Sequence, residues 1–326
     1  MPGFRTHFIF GQICCKELKK SPHARDLRLY HLMKDFPEAY SLGLQGPDIF
    51  FYNIPSHLFH KHNIGIRMHA KDTLSMFHSL LSLRGSIIDP TLQKLADAYI
   101  LGFIGHYTLD TICHPYIHYR TNKTSTKNEN YTFGCHVFLE TDIDGAMLAH
   151  FYHKKFSWFR TGHTVALPGW QRRFLSVFLQ RAIEIAYPGS LVFASEIGEA
   201  MLSTRFLYDL MEDEHGWKKK LVRDVDKHLF HHAFLSPLIA NDHLRTYHDP
   251  MNLRHKRWHN PWDPSLTSTA DFYELLDRAN ASYLYRIRRF GAMCTVRHGS
   301  NAYYAAFDSL LSDLGNLSYD TGLPID

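Results

Sequence analysis

Two histidine–carboxylate pairs pose the question of what this chain does: His106-x-x-x-Asp110 and His136-x-x-x-Glu140. Residues four apart share one helix face, with Cβ atoms about 5–6 Å apart, so on helices each pair can serve one metal ion or two neighbouring ones. His114 follows one turn beyond Asp110, immediately before Pro115. The setting of the first pair sharpens the question. His106 and Asp110 interrupt an otherwise apolar stretch, and a buried carboxylate is costly unless it is paired or bound to a cation. A lone pair of this kind reads equally well as a helix ion pair or a satisfied core histidine. Two in the most apolar helices favour a metal centre, and divalent ions on nitrogen and oxygen donors suit hydrolysis of an anionic ester.

The elements that must position these groups read as helices. Apolar residues recur at three and four, and no alternating hairpin pattern is present. Thr6 is read as the cap of a first helix to about Lys20, followed by a short helix over 26–34 and a turn at 43–48. One helix is predicted over 65–83. Another runs over 91–112, started by Asp89-Pro90 and apolar almost all round, hence central, and it should break at Pro115. Residues 121–130 read as a polar loop and 135–152 as the helix carrying His136 and Glu140. Further helices are expected over 171–186, 191–211, 217–234, 270–291 and 302–314, with an irregular surface stretch over 249–268. The fold class is all-α: a metal-binding helical core over 1–160, with the helical part 161–326 packed on it.

Bulk composition bounds the rest. The chain has 326 residues, 45% of them hydrophobic, enough for a large buried core. A formal charge of +4 suits an anionic substrate and is too small to argue for a stable nucleic-acid complex. The 24 histidines make a metal centre worth seeking without identifying one. Five cysteines with no C-x-x-C spacing suggest neither a disulfide framework nor a thiolate zinc site. The start of the chain lacks the apolar core of a signal peptide, and the best apolar run is too short to span a bilayer. A soluble protein in a reducing, cytoplasmic setting is the expectation.

The order His7, Asp48, His69, His106-x-x-x-Asp110, His114, His136-x-x-x-Glu140 resembles the zinc-dependent phospholipase C family, related to the P1-type nucleases and to the similar domain of glycosylphosphatidylinositol phospholipase D. The local wording agrees over roughly residues 1–150: Thr6-His7-Phe8, Gly46-Pro47-Asp48-Ile49, Met68-His69, Gly105-His106-Tyr107-Thr108-Leu109-Asp110 and His114-Pro115-Tyr116. The resemblance implies a phospholipase C/P1 nuclease-like helical bundle with two or three Zn²⁺ ions. Asp48, His69, His106 and Asp110 would hold one ion and His114, His136 and Glu140 a second. His7 and the other oxygen of Asp110 would hold a third. Asp48 and Asp110 would be the catalytic residues beside the attacking water. The donor set suits zinc but does not by itself exclude manganese or iron.

This chain departs from the secreted relatives in two places. They complete the third ion with an N-terminal tryptophan amine, whereas Met1-Pro2 stands here, so the amine of Pro2 would have to serve. His114 also lies closer to Asp110 than in toxin-like members, which makes His118 the fallback ligand. The implied activity is hydrolysis of a phosphoester, a phospholipid or its headgroup first. A P1-type nuclease or nucleotidase is the alternative, and a metal-stabilised scaffold without turnover is the reading from another class.

Outside the cluster, Lys218-Lys219-Lys220 with Arg223 and Lys227 would meet an anionic membrane surface transiently or simply form a solvated helix face, and Arg286, Arg288 and Arg289 read likewise. His228, His231 and His232 with Asp226 form a second metal site or an exposed face. The loop with Trp258 and Trp262 lines a substrate cleft, touches a membrane interface or pins itself to the helices.

Overall fold

The computed structural model describes residues 3–53, 63–121, 129–213, 215–229, 236–242 and 247–325. In chain order the helices are α1 (Phe4–Lys20), α2 (Ala24–Asp35), α3 (Pro37–Gly43), α4 (Ile64–Ala70), α5 (Thr73–Gly85), α6 (Pro90–Thr121) and α7 (Glu129–Tyr152). Then come α8 (Gly169–Ala186), α9 (Ala194–Met211), α10 (Trp217–Leu229), α11 (Phe272–Cys294) and α12 (Asn301–Leu314). A 3₁₀ turn over Gly46–Tyr52 follows α3. The architecture is all-α. Among the described residues the only strands are four of two residues each, β1 (Glu212–Asp213) parallel to β2 (Ala240–Asn241) and β3 (Trp258–His259) antiparallel to β4 (Thr267–Ser268).

Helix α6 is the axis. Its start is fixed by Asp89, whose carboxylate accepts from Thr91 N (2.8 Å) and Leu92 N (2.9 Å), satisfying amides that a helix cannot pair internally. Residues 95–111 are buried without a break, and α3, α11, α7, α1 and α2 pack around them. The tightest crossing is with α3. A Cβ on Gly43 would meet Tyr99 O, and one on Gly102 would meet Tyr40 O, so the two backbones touch where only glycine fits.

Four expectations need correction. Thr6 does not cap α1, which begins at Phe4. The cap comes from a distant helix: the Asp144 carboxylate on α7 accepts from Arg5 N (3.2 Å), Thr6 N (2.8 Å) and Thr6 Oγ1 (2.6 Å). This ties the first turn of α1, and so His7, to α7. The single helix over 65–83 is two, α4 and α5, divided at Asp72, whose φ of 52° no helix can carry. Nor does Pro115 end α6. Proline lacks the N–H that would reach the Thr111 carbonyl, yet the helix continues to Thr121, with Gly322 of the C-terminal segment lying close against that carbonyl. The irregular stretch 249–268 contains the β3–β4 pair, so it is not wholly loop. Residues 122–128 of the polar loop and 230–235 beyond α10 lie outside the described residues.

The ends of α5 and α6 are clamped by Arg84, whose Nε and Nη2 donate to Asp97 at 2.6 and 2.9 Å, both residues being buried. Removing one partner leaves the other charge buried, so Arg84→Ala should destabilise by about 3–5 kcal/mol, while Arg84→Met with Asp97→Leu should recover most of that loss. Urea unfolding of the single and double variants checks this. Equal destabilisation in both would show that the loss comes from packing rather than charge.

Candidate metal centre

Helix α6 carries His106, Asp110, His114 and His118 at successive turns, so one face of a buried helix presents four potential ligands in a row. The other elements bring their residues to that face: α1 brings His7, the 3₁₀ turn Asp48, α4 His69, and α7 His136 and Glu140. All eight residues singled out in the sequence are drawn together.

Asp110 is the centre of the arrangement. Its Oδ1 lies 3.1 Å from His7 Nε2 and 4.0 Å from His114 Nε2, while its Oδ2 lies 3.1 Å from His106 Nε2. Asp48 Oδ1 is 3.1 Å from His69 Nε2 and 3.6 Å from His106 Nε2. On the far side His136 Nε2 and Glu140 Oε1 are 2.7 Å apart. Donor atoms cluster within 4.8 Å of one another in four sets here: His7, Asp48 and His106; His69, His106 and Asp110; His114, His136 and Glu140; His114, His118 and Asp320.

Three imidazoles are turned toward the centre by backbone carbonyls. His69 Nδ1 donates to Gly65 O (2.6 Å), His106 Nδ1 to Leu44 O (3.1 Å) and His114 Nδ1 to Tyr319 O (2.8 Å), which leaves each Nε2 pointing inward. Among the described residues both ring nitrogens of His7, both oxygens of Asp110, and Nε2 of His106, His114 and His118 are buried and make no hydrogen bond. The close contacts around Asp110 therefore have hydrogen-bond distances without hydrogen-bond direction. Lone pairs converging on points between residues fit a shared cation, whereas such groups left in a dry core would each cost about 1–3 kcal/mol or more.

The protonation states fit a cation as well. Burial lowers the pKa of His7, and of His114 much further, while His136 is pulled down to about 4 by burial against the opposing pull of Glu140. Burial thus favours the neutral form of these rings, the one that offers a lone pair. Burial works against ionisation of Asp110, but His106, His114 and His7 outweigh it and hold the carboxyl well below its ordinary range. Glu140 is likewise lowered by His136 against the effect of burial. His69 is the exception. Burial lowers it, but Asp48 outweighs burial and leaves it raised. The nitrogen and oxygen donor set, with no cysteine in it, suits Zn²⁺ and comparable divalent ions.

Sequence reasoning missed Asp320. Its Oδ1 stands 3.8 Å from His118 Nε2 and 3.7 Å from His114 Nδ1. No helical spacing marks it, because it sits in irregular chain beyond α12. His118, read as a substitute for His114, stands beside it instead, its ring centroid 5.6 Å from that of His114 and 4.7 Å from that of His136. The tryptophan loop is pinned to the helices through Trp258. Trp258 is buried, with Nε1 donating to Ala270 O, and Trp262 is half exposed with its ring edge-on to His118 at 4.9 Å. The Pro2 amine, His231 and His232 lie outside the described residues, and His228 is exposed on α10. All five cysteines are free of disulfides. Among the described residues no helix is long and apolar enough to cross a membrane.

A buried histidine–carboxylate cluster in an all-α bundle is the arrangement of a phospholipase C/P1 nuclease-like fold. The model of the zinc dependent phospholipase C family matches residues 6–187, more than half of the chain, and the protein belongs to that family. No curated protein and no solved structure matches the chain.

Proposed function

We propose that the protein is a zinc-dependent phosphodiesterase of phospholipase C type, cleaving a phospholipid or its headgroup ester. The observation that supports this most directly is Asp110, with two buried oxygens facing two different histidines and hydrogen-bonding to neither. In this reading Asp48, His69, His106 and Asp110 hold one ion, His114, His136 and Glu140 a second, and His7 with Asp110 a third. When bound, such ions neutralise phosphate oxygens and bring a water's pKa toward about 7. The residues of the chain orient that chemistry. Asp110 bridges two positions, Asp48 lies beside His69 and His106 where it can accept the proton of the attacking water, and the carbonyls of residues 44, 65 and 319 hold the imidazoles in register.

Contact with an anionic lipid surface is supported by α10, which faces the wrong way for a core helix. Lys219 and Asp226 are buried, whereas Trp217, Leu221 and Val225, spaced by four, are exposed and flanked by exposed Lys220, Arg223 and Lys227. On the opposite, buried side of α10, Lys219 lies over the ring of Phe138 on α7, which packs the helix against the element that carries His136 and Glu140.

The test is metal analysis followed by a substrate panel. Purified protein should carry two or three zinc equivalents and hydrolyse a phosphocholine diester faster than an oligonucleotide. Metal-free protein, or preference for the oligonucleotide, would overturn the phospholipase reading. Trp217→Glu with Leu221→Glu should weaken sedimentation with phosphatidylglycerol vesicles at least tenfold and leave turnover of a soluble diester unchanged. Unaltered vesicle binding would remove α10 from the account.

A further inference from the structure

Beyond α12 the chain returns across the metal centre. Thr73 Oγ1 donates to Leu317 O (3.0 Å), Tyr319 N to His69 O (3.1 Å), His114 Nδ1 to Tyr319 O (2.8 Å) and Asn260 Nδ2 to Thr321 O (2.8 Å). The Tyr319 ring is buried against His69 (5.0 Å), His106 (5.6 Å) and Tyr107 (5.1 Å). Gly322, at φ 63°, fits against Thr111 O, the carbonyl that Pro115 leaves without its helical partner. The backbone on both sides of Asp320 is therefore fixed by groups on α4, α6 and the tryptophan loop. The position of its carboxylate is set by the fold, not by a free side chain.

We propose that Asp320 and His118 hold a divalent cation of their own at the outer edge of the centre, beside His114. Three observations carry this. His118 Nε2 is buried and makes no hydrogen bond among the described residues. Its 3.8 Å separation from Asp320 Oδ1 is too long for a hydrogen bond, yet it suits two donors that each stand about 2.0–2.2 Å from one ion. The carboxylate is also partly open to solvent, at 40% side-chain exposure, so this ion keeps coordination positions for water or a phosphate oxygen. It is an exchangeable position, in contrast to the closed set around Asp110. Because Asp320 rides on the C-terminal segment, filling the position fastens residues 316–325 to the body of the protein.

The proposal leans on the zinc-centre reading for its neighbours, and the experiment separates the two. Zn²⁺ alone is titrated calorimetrically into wild type, Asp320→Asn, His118→Gln and His106→Gln, with hydrogen exchange followed over residues 316–325. Asp320→Asn and His118→Gln should each lose the same weakest zinc event, or weaken it at least tenfold, and keep the tighter ones. Zinc should slow exchange in 316–325 of wild type and fail to do so in Asp320→Asn. Circular dichroism of the zinc-free variants establishes that both are folded, as the exposure of Asp320 leads one to expect. If Asp320→Asn takes up zinc with wild-type stoichiometry and affinity while His106→Gln does not, the outer position is wrong and the centre stands. If wild type takes up none, both are wrong.

Discussion

Replacing Asp110 with Asn should strip the protein of zinc and of diester hydrolysis together. The substitution keeps the shape of a fully buried side chain and removes its charge. One amide oxygen cannot replace two anionic donors that face His7 and His114 on one side and His106 on the other. Loss of an outer partner of a metal ligand already costs about 10–100-fold in affinity or activity, so loss of a bridging carboxylate should exceed about 100-fold in turnover and at least one zinc equivalent by mass spectrometry. The stabilisation of wild type by free zinc, about 2.7 kcal/mol at one hundred times Kd for one site, should shrink in parallel. Asp308→Asn, on the exposed face of α12, should change none of these. Full zinc stoichiometry and wild-type turnover in Asp110→Asn would reduce Asp110 to a structural helix residue.

The second large effect is expected at a residue that bears no ligand atom, Gly102, one turn before His106. Its added methyl group would meet Tyr40 O, a backbone atom that can move only if α3 moves. Overpacking of this kind costs about 1–3 kcal/mol and sometimes more. Gly102→Ala should therefore destabilise the protein by about 3 kcal/mol in urea unfolding. It should also weaken zinc binding, because Leu44, one residue beyond α3, supplies the carbonyl that orients His106. Destabilisation with unchanged zinc affinity would show that His106 keeps its orientation without α3.

These two residues also mark what could be read from the sequence. The His106–Asp110 and His136–Glu140 pairs were legible because helical spacing puts each pair on one face, and the central place of α6 followed from apolar residues on every side. Asp48, His69 and His7 became candidates only through the family resemblance, since no local periodicity links a turn, a short helix and a first helix. Asp320 was illegible for the same reason. What places it is a set of long-range backbone bonds, Tyr319 to His69 and to His114, that leave no pattern in neighbouring residues. The errors at Thr6 and Pro115 share one cause. The cap that local rules assign to Thr6 comes from Asp144 on α7, and α6 runs through Pro115 where the distant Gly322 lies against the Thr111 carbonyl. Local rules hold until a distant residue supplies the missing partner.

The C-terminal segment has a consequence for how the centre is made. His7 and Tyr319 lie 312 residues apart in the chain, and translation at roughly 5–20 residues per second separates their emergence by about 15 s or more. Until then His114 lacks the backbone carbonyl that orients its ring, and His118 faces no carboxylate. A translating chain thus holds a half-built set of imidazoles and carboxylates, and the finished geometry comes into being only once residues 319 and 320 have emerged. Chains stalled before residue 319 should capture zinc loosely and release it to a chelator within seconds, whereas the finished protein should hold it.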